Sequence, residues 1–124
     1  MGGNASLVQS AYDAFGRGDI GTVLDLLADD VDWVSPATLP QGGHFQGKAG
    51  VGEFFQGVGG AWSALSLDIE SVSEAGDVVV GVLQASGTRQ DGSPSGYGAT
   101  HLFTVHDDKI VRFREFTDLD ASIA

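Results

Sequence analysis

The spacing of apolar residues changes once along this chain, and that change limits the folds open to it. Up to Val58 they recur mainly at three and four positions, the period of a helix. From Leu65 onward they recur mainly at every second position, the period of a strand. A helix-rich first half and a strand-rich second half predict an α+β domain, with helices covering one face of a largely antiparallel sheet. At 124 residues the chain falls within the size range of one domain, and a single domain over 1–124 is expected.

The first apolar set, Leu7, Val8, Ala11, Tyr12 and Phe15, marks one face of a helix, with Ser6 and Gln9 spaced as a capping box. Gly16 and Gly18 stop that helix, and Asp19 can cap a second one whose face is Ile20, Val23, Leu24 and Leu27. The stretch Gly16 to Gly21 satisfies the glycine pattern of dinucleotide sites. It follows a helix rather than a strand, so it reads as a helix stop. A short strand over 30–34 ends at Ser35-Pro36 and aims Val31, Trp33 and Ser35 to one side.

A loop of about ten residues is expected next. A third helix from Lys48 to about Val58 then carries Val51, Phe54, Phe55 and Val58 on one face. Its glycines at 50, 52 and 57 each cost up to roughly 1 kcal/mol, so tertiary packing must hold it. The remainder predicts a four-stranded meander with turns near Gly76-Asp77 and Asp91-Gly92. The run Val78 to Leu83 has no polar face, which predicts a central strand covered on both sides. Helices cover only the concave side. A second copy of the chain is therefore expected over Val79, Leu83, Leu102 and Phe116 on the convex one.

Composition excludes several partners. The net charge is −11 and only six residues are Lys or Arg, so a nucleic acid is not an expected ligand. No apolar run is long enough to span a bilayer and no secretory leader is evident, which makes a membrane partner unexpected and a cytoplasmic location the expectation. Without cysteine there is neither a disulfide nor a thiolate site, and His44, His101 and His106 lack metal-ligand spacing, so no metal and no cofactor are expected.

Three strings add to the element order: Tyr12 to Asp19 (YDAFGRGD), Leu27 to Trp33 (LADDVDW) and Phe103 to Asp118 (FTVHDDKIVRFREFTD). With them, the chain resembles the SnoaL-like branch of the nuclear-transport-factor-2-like superfamily. That superfamily also holds ketosteroid isomerases, limonene epoxide hydrolases and polyketide cyclases. The resemblance implies a cone-shaped, cystatin-like sheet wrapped around three helices and enclosing a pocket. It also implies either a cofactor-independent acid–base enzyme of isomerase, cyclase or hydrolase type, acting on a small apolar oxygenated compound such as a polyketide or steroid, or a non-catalytic binding or assembly module of the same fold.

Against the ketosteroid isomerases, the catalytic base position is Ser35, the oxyanion-stabilising acid lines up with His101, and the helix-one tyrosine with Ala11, next to Tyr12. Against the limonene epoxide hydrolases, the catalytic acid aligns with Glu115. Their Arg and Asp align with Val82 and Gln84, and their water-holding pair with Trp33 and Ser35.

The residues expected to act are therefore His101 and Glu115, as an acid–base pair. Tyr12, Trp33, Ser35, Phe54, Gln84, Phe103 and Phe113 are expected around the ligand. This depends on the last turn. A three-residue loop, with Asp108 left-handed, puts His101, Phe103 and Val105 on a common face with Val111, Phe113 and Glu115, whereas an even count sends the imidazole and the carboxylate to opposite faces.

Overall fold

The computed structural model describes residues 3–117. The elements are α1 (Gly3–Gly16), α2 (Ile20–Asp25), β1 (Leu27–Ser35), β2 (Gly43–Gln46), α3 (Gly47–Ala61), β3 (Trp62–Ala75), β4 (Val78–Arg89), β5 (Pro94–His106) and β6 (Lys109–Thr117). One curved, unclosed mixed sheet holds every strand in the order β2-β1-β6-β5-β4-β3. The expected meander is β3 to β6. β1 runs parallel to β6 and forms an antiparallel pair with β2 on its other side. No helix among the described residues is long and apolar enough to cross a membrane.

The helices line the concave face. α1 buries Val8, Ala11, Tyr12 and Ala14. It begins at Gly3, so Ser6 and Gln9 lie within its body rather than forming a cap: the Ser6 carbonyl accepts from Ser10 and the Gln9 amide donates to Asp13. Asp19 does cap α2, accepting from the Thr22 amide at 3.2 Å. α2 stops at Asp25, and buried Leu27 opens β1 instead of closing a helical face. The ten-residue segment expected as loop contains β2, whose four residues are too few to show alternation. α3 is longer than expected at both ends and is anchored through buried Val51 and Phe54.

The last turn contains two residues, not three. Asp107 and Asp108 both adopt left-handed backbone, with φ of 52° and 60°, between paired His106 and Lys109. That even count alone would put Arg114 opposite His101. A β-bulge supplies the missing residue: Val105 pairs with Ile110, but Thr104 pairs with Arg112, leaving Val111 extra. Beyond it Phe103 faces Phe113 and His101 faces Glu115, as expected for the odd count. Ile110, not Val111, takes the buried place beside Val105.

On β4 the inward residues are Val79, Gly81, Leu83 and Ala85, which pair with inward Phe103, His101, Ala99 and Tyr97. Val79 and Leu83 are thus part of the core, not of the convex surface. The run Val78 to Leu83 offers no polar residue to mark its parity; the neighbouring strands set it. β4 also lies second from the edge of the sheet rather than at its centre. Val80, Val82, Leu102, Arg114 and the half-exposed Phe116 occupy the convex face. There Asp32 meets His44 and Arg114, and hydrogen bonds from both, His44 first, hold its carboxyl down at about 2.

Asp107 and Asp108 occupy conformations that L residues adopt at a cost of roughly 1 kcal/mol each. Asp108→Gly should therefore raise the unfolding free energy by about 0.5–1 kcal/mol, read as a higher urea midpoint at unchanged slope.

Candidate functional site

Two rows of side chains run across the concave face. The first is aromatic. Trp33 on β1 pairs in register with Phe113 on β6, which pairs with Phe103 on β5. Cross-strand partners share a face, so the rings meet: Trp33 and Phe113 stack at 3.9 Å between centroids and 23° between planes, and Phe113 lies 5.1 Å from Phe103. Tyr12 from α1 sets its ring edge-on to Phe103 at 5.7 Å, and Phe54 from α3 closes on Trp33 at 5.5 Å.

The second row, two residues further along each strand, is polar. The Ser35 hydroxyl donates to Glu115 Oε1 at 2.5 Å. Glu115 Oε2 lies 3.0 Å from His101 Nε2, and His101 Nδ1 lies 2.8 Å from the Tyr12 hydroxyl. All four side chains are at least nine-tenths buried. A carboxylate only accepts hydrogen bonds, so Nε2 carries the ring proton. Nδ1 of the neutral ring is then the acceptor, and the Tyr12 hydroxyl donates to it. Burial first, and the nearby Glu115 charge second, push the Tyr12 phenol well above its ordinary pKa, so its oxygen keeps a proton.

The fourth position of the polar row is Gly81, paired with His101 on β4. A Cβ placed there would lie 2.2 Å from the Tyr12 oxygen. The missing side chain is the space into which the hydroxyl descends. Nothing in the sequence marked this role, because a glycine in a valine run also fits a bulge or a weak strand.

These rows bound a cavity of about 80 Å³. Tyr12, Trp33, Phe54, Phe103, Phe113, His101 and Glu115 all line it. Ser35 stands behind Glu115 rather than on the cavity wall. Gln84 is not at the site. It is exposed on the convex face beside Val82 and Phe116, because it lies an odd three residues from inward Gly81.

Two polar cavity residues escaped the sequence reading. Tyr97 shares the inward face of β5 with His101, four residues away, and that spacing could have found it. Gln41 lies in the segment between β1 and β2, where no periodicity operates, and is buried at 6 % exposure. Its Oε1 accepts from Trp62 Nε1 at 3.1 Å. The Trp33 indole N–H is buried with no hydrogen-bond partner among the described residues.

Comparison with known proteins agrees with the fold. The model of the SnoaL-like domain family matches residues 8–113, and the chain belongs to that family. No curated protein matches it. An NTF2-like protein of unknown function from Burkholderia pseudomallei is 26 % identical, with 99 % of this chain and 96 % of that one covered at a TM-score of 0.89. TerC, crystallised with polyporic acid, is 28 % identical, with 97 % and 95 % covered at 0.85. A candidate SnoaL-like polyketide cyclase from a Jannaschia species shares the fold at 20 % identity and a TM-score of 0.82, covering 97 % of this chain and 88 % of that one.

Gly81→Ala should drive the Tyr12 hydroxyl from His101 and cost about 1–3 kcal/mol through overpacking. In a Tyr12→Phe background, where the oxygen is gone, the same substitution should cost measurably less by chemical denaturation. Equal costs in the two backgrounds would separate Gly81 from the tyrosine.

Proposed function

We propose that this chain is a cofactor-independent acid–base enzyme acting on a small, mostly apolar, oxygenated molecule in the cavity. One observation supports the reading above others: Ser35, Glu115, His101 and Tyr12 form an unbroken hydrogen-bonded chain, buried, with an aromatic wall beside it. Both imidazole nitrogens are engaged, so His101 serves as a bridge and Tyr12 and Glu115 are the groups that meet the ligand.

As a base, the Tyr12 oxygen takes a proton from an acidic C–H of the ligand while its own proton moves to Nδ1. The resulting imidazolium is stabilised by Glu115, which is in turn held by Ser35. Returning the proton to another carbon isomerises the ligand; attack of the carbanion on a carbonyl carbon of the same molecule cyclises it, the C=O π bond opening to an alkoxide that takes the proton back from Nδ1 through Tyr12. Such general acid–base catalysis contributes roughly 10²–10⁴-fold. The structural neighbour TerC, crystallised with polyporic acid, is in keeping with a small organic ligand. The cavity is about 80 Å³, against roughly 150 Å³ for one that admits benzene, so a ligand of one ring or more displaces Phe54 and Phe55 on glycine-rich α3.

The test is exchange of solvent deuterium into the carbon beside the carbonyl of enolisable aryl ketones, followed by NMR. Glu115→Gln and His101→Gln should each slow exchange at least about 100-fold. Wild-type rates in both variants would end the catalytic assignment. A second reading, a binding module without chemistry, is favoured by the same saturation of His101, since an internally satisfied pair also serves as a structural tie. Ligand bound by the wild type yet free of exchanged deuterium would establish it.

We also propose that a second copy covers the convex face. Among the charged residues of its central strands, Arg112 and Arg114 outweigh Asp32, so this surface escapes the acidity of a chain with net charge −11, and half-exposed Phe116 lies beside them. Sedimentation should return a dimer that Phe116→Glu dissociates; a monomeric wild type at micromolar concentration would refute it.

A further inference from the structure

The cavity carries a second set of polar groups that the acid–base chain does not use, and the hydrogen bond within that set has a direction. The Trp62 indole can only donate, so the Gln41 atom it meets at 3.1 Å is the amide oxygen. The Gln41 amide nitrogen is therefore the end left free to face the Tyr97 phenol, whose ring lies 6.3 Å from that of Trp62, and no hydrogen bond joins the two. The Tyr97 hydroxyl has its own proton to give. Among the described residues that proton has no acceptor, although Tyr97 is only 6 % exposed and lines the cavity. Tyr12 differs, because its proton is already given to His101.

We infer that Tyr97 is a ligand-anchoring donor that selects molecules carrying a hydrogen-bond-accepting oxygen, such as a carbonyl or ether, at the end of the cavity away from the acid–base chain. The inference rests on the reading that the cavity takes a ligand. Tyr97 and His101 lie four residues apart on β5, about 13 Å between their Cα atoms. Their side chains therefore address different ends of a bound molecule. Burial, and then the Glu115 charge, raise the Tyr97 phenol above its ordinary pKa, so the group remains a donor across the neutral range. The unpartnered Trp33 N–H adds to the same bias: the unused capacity of this cavity is in donors, and the chemistry that uses donors is an oxygen with lone pairs.

The test compares two probes of equal shape, acetophenone and α-methylstyrene, in which C=O is exchanged for C=CH2. Their dissociation constants are measured by NMR titration on the wild-type protein and on Tyr97→Phe. Differences in probe hydration, and any cost of moving α3 to admit a ring, cancel in the ratio of ratios. Tyr97→Phe should shift that ratio about 5-fold toward the hydrocarbon, the size of one buried hydrogen bond, while leaving the α-methylstyrene affinity unchanged. An unchanged ratio in Tyr97→Phe, with both probes bound, would overturn the anchoring role alone. Binding of neither probe to the wild type would overturn the ligand reading and this inference together.

Discussion

The β-bulge at Val111 fixes which residues of β6 face the helices, and the site exists only because of it. A two-residue turn gives the hairpin the tight, strongly twisted connection that two left-handed residues supply. Left uncorrected, it would carry Phe113 and Glu115 one place out of step with Phe103 and His101. One added residue restores the step without lengthening the turn, and every cross-strand partner beyond it follows. Because β1 pairs with β6, the correction propagates: Trp33 finds Phe113 and Ser35 finds Glu115.

The two rows that result have different energetic roles. The aromatic row buries large apolar surfaces and adds ring–ring contacts of about 0.5–1.5 kcal/mol each. The polar row contributes little net stability and would be costly if incomplete, since a buried carboxylate without partners is among the most unfavourable groups a core can hold. Here Glu115 is met on one oxygen by Ser35 and on the other by His101, and His101 is closed on its far side by Tyr12. The last link depends on an absence. Gly81 leaves open the space that Tyr12 fills from α1, so a helix and three inner strands share one network that no two of them could satisfy.

Much of this was legible in the sequence, and the reasons are local. Strict alternation in β5 and β6 placed His101, Phe103, Phe113 and Glu115 together once the count through the turn was odd, and helical spacing placed Tyr12 and Phe54 facing them. The count was right for another reason than a longer loop, since a bulge leaves no mark in a sequence where Ile110 and Val111 are both apolar. Gln84 and the faces of Val79 and Leu83 were misplaced because a run of apolar residues has no phase of its own; its phase came from long-range pairing with β5. β2 and Gln41 were invisible because four residues are too few to alternate and an irregular segment has no period. The capping box at Ser6 and Gln9 had the right spacing, but the helix begins earlier, at Gly3.

The direction of the hydrogen bonds, rather than the identity of the residues, distinguishes the two polar groups of the cavity. From Tyr12 the donations run inward through His101 to Glu115, and Ser35 donates to the same carboxylate, so the chain converges on one negative charge. Moving a proton along it then costs little reorganisation, since each partner already stands within 3.0 Å of the next. Tyr97 donates to no described residue, and its hydroxyl stands on the cavity wall beside the hydrogen bond from Trp62 to Gln41. A converging chain stabilises a charge that appears within it; an unengaged hydroxyl presents a dipole to whatever lies beyond. A cavity with one of each, on opposite ends of a single strand face, can hold a neutral molecule by an oxygen at one end while proton transfer takes place at the other.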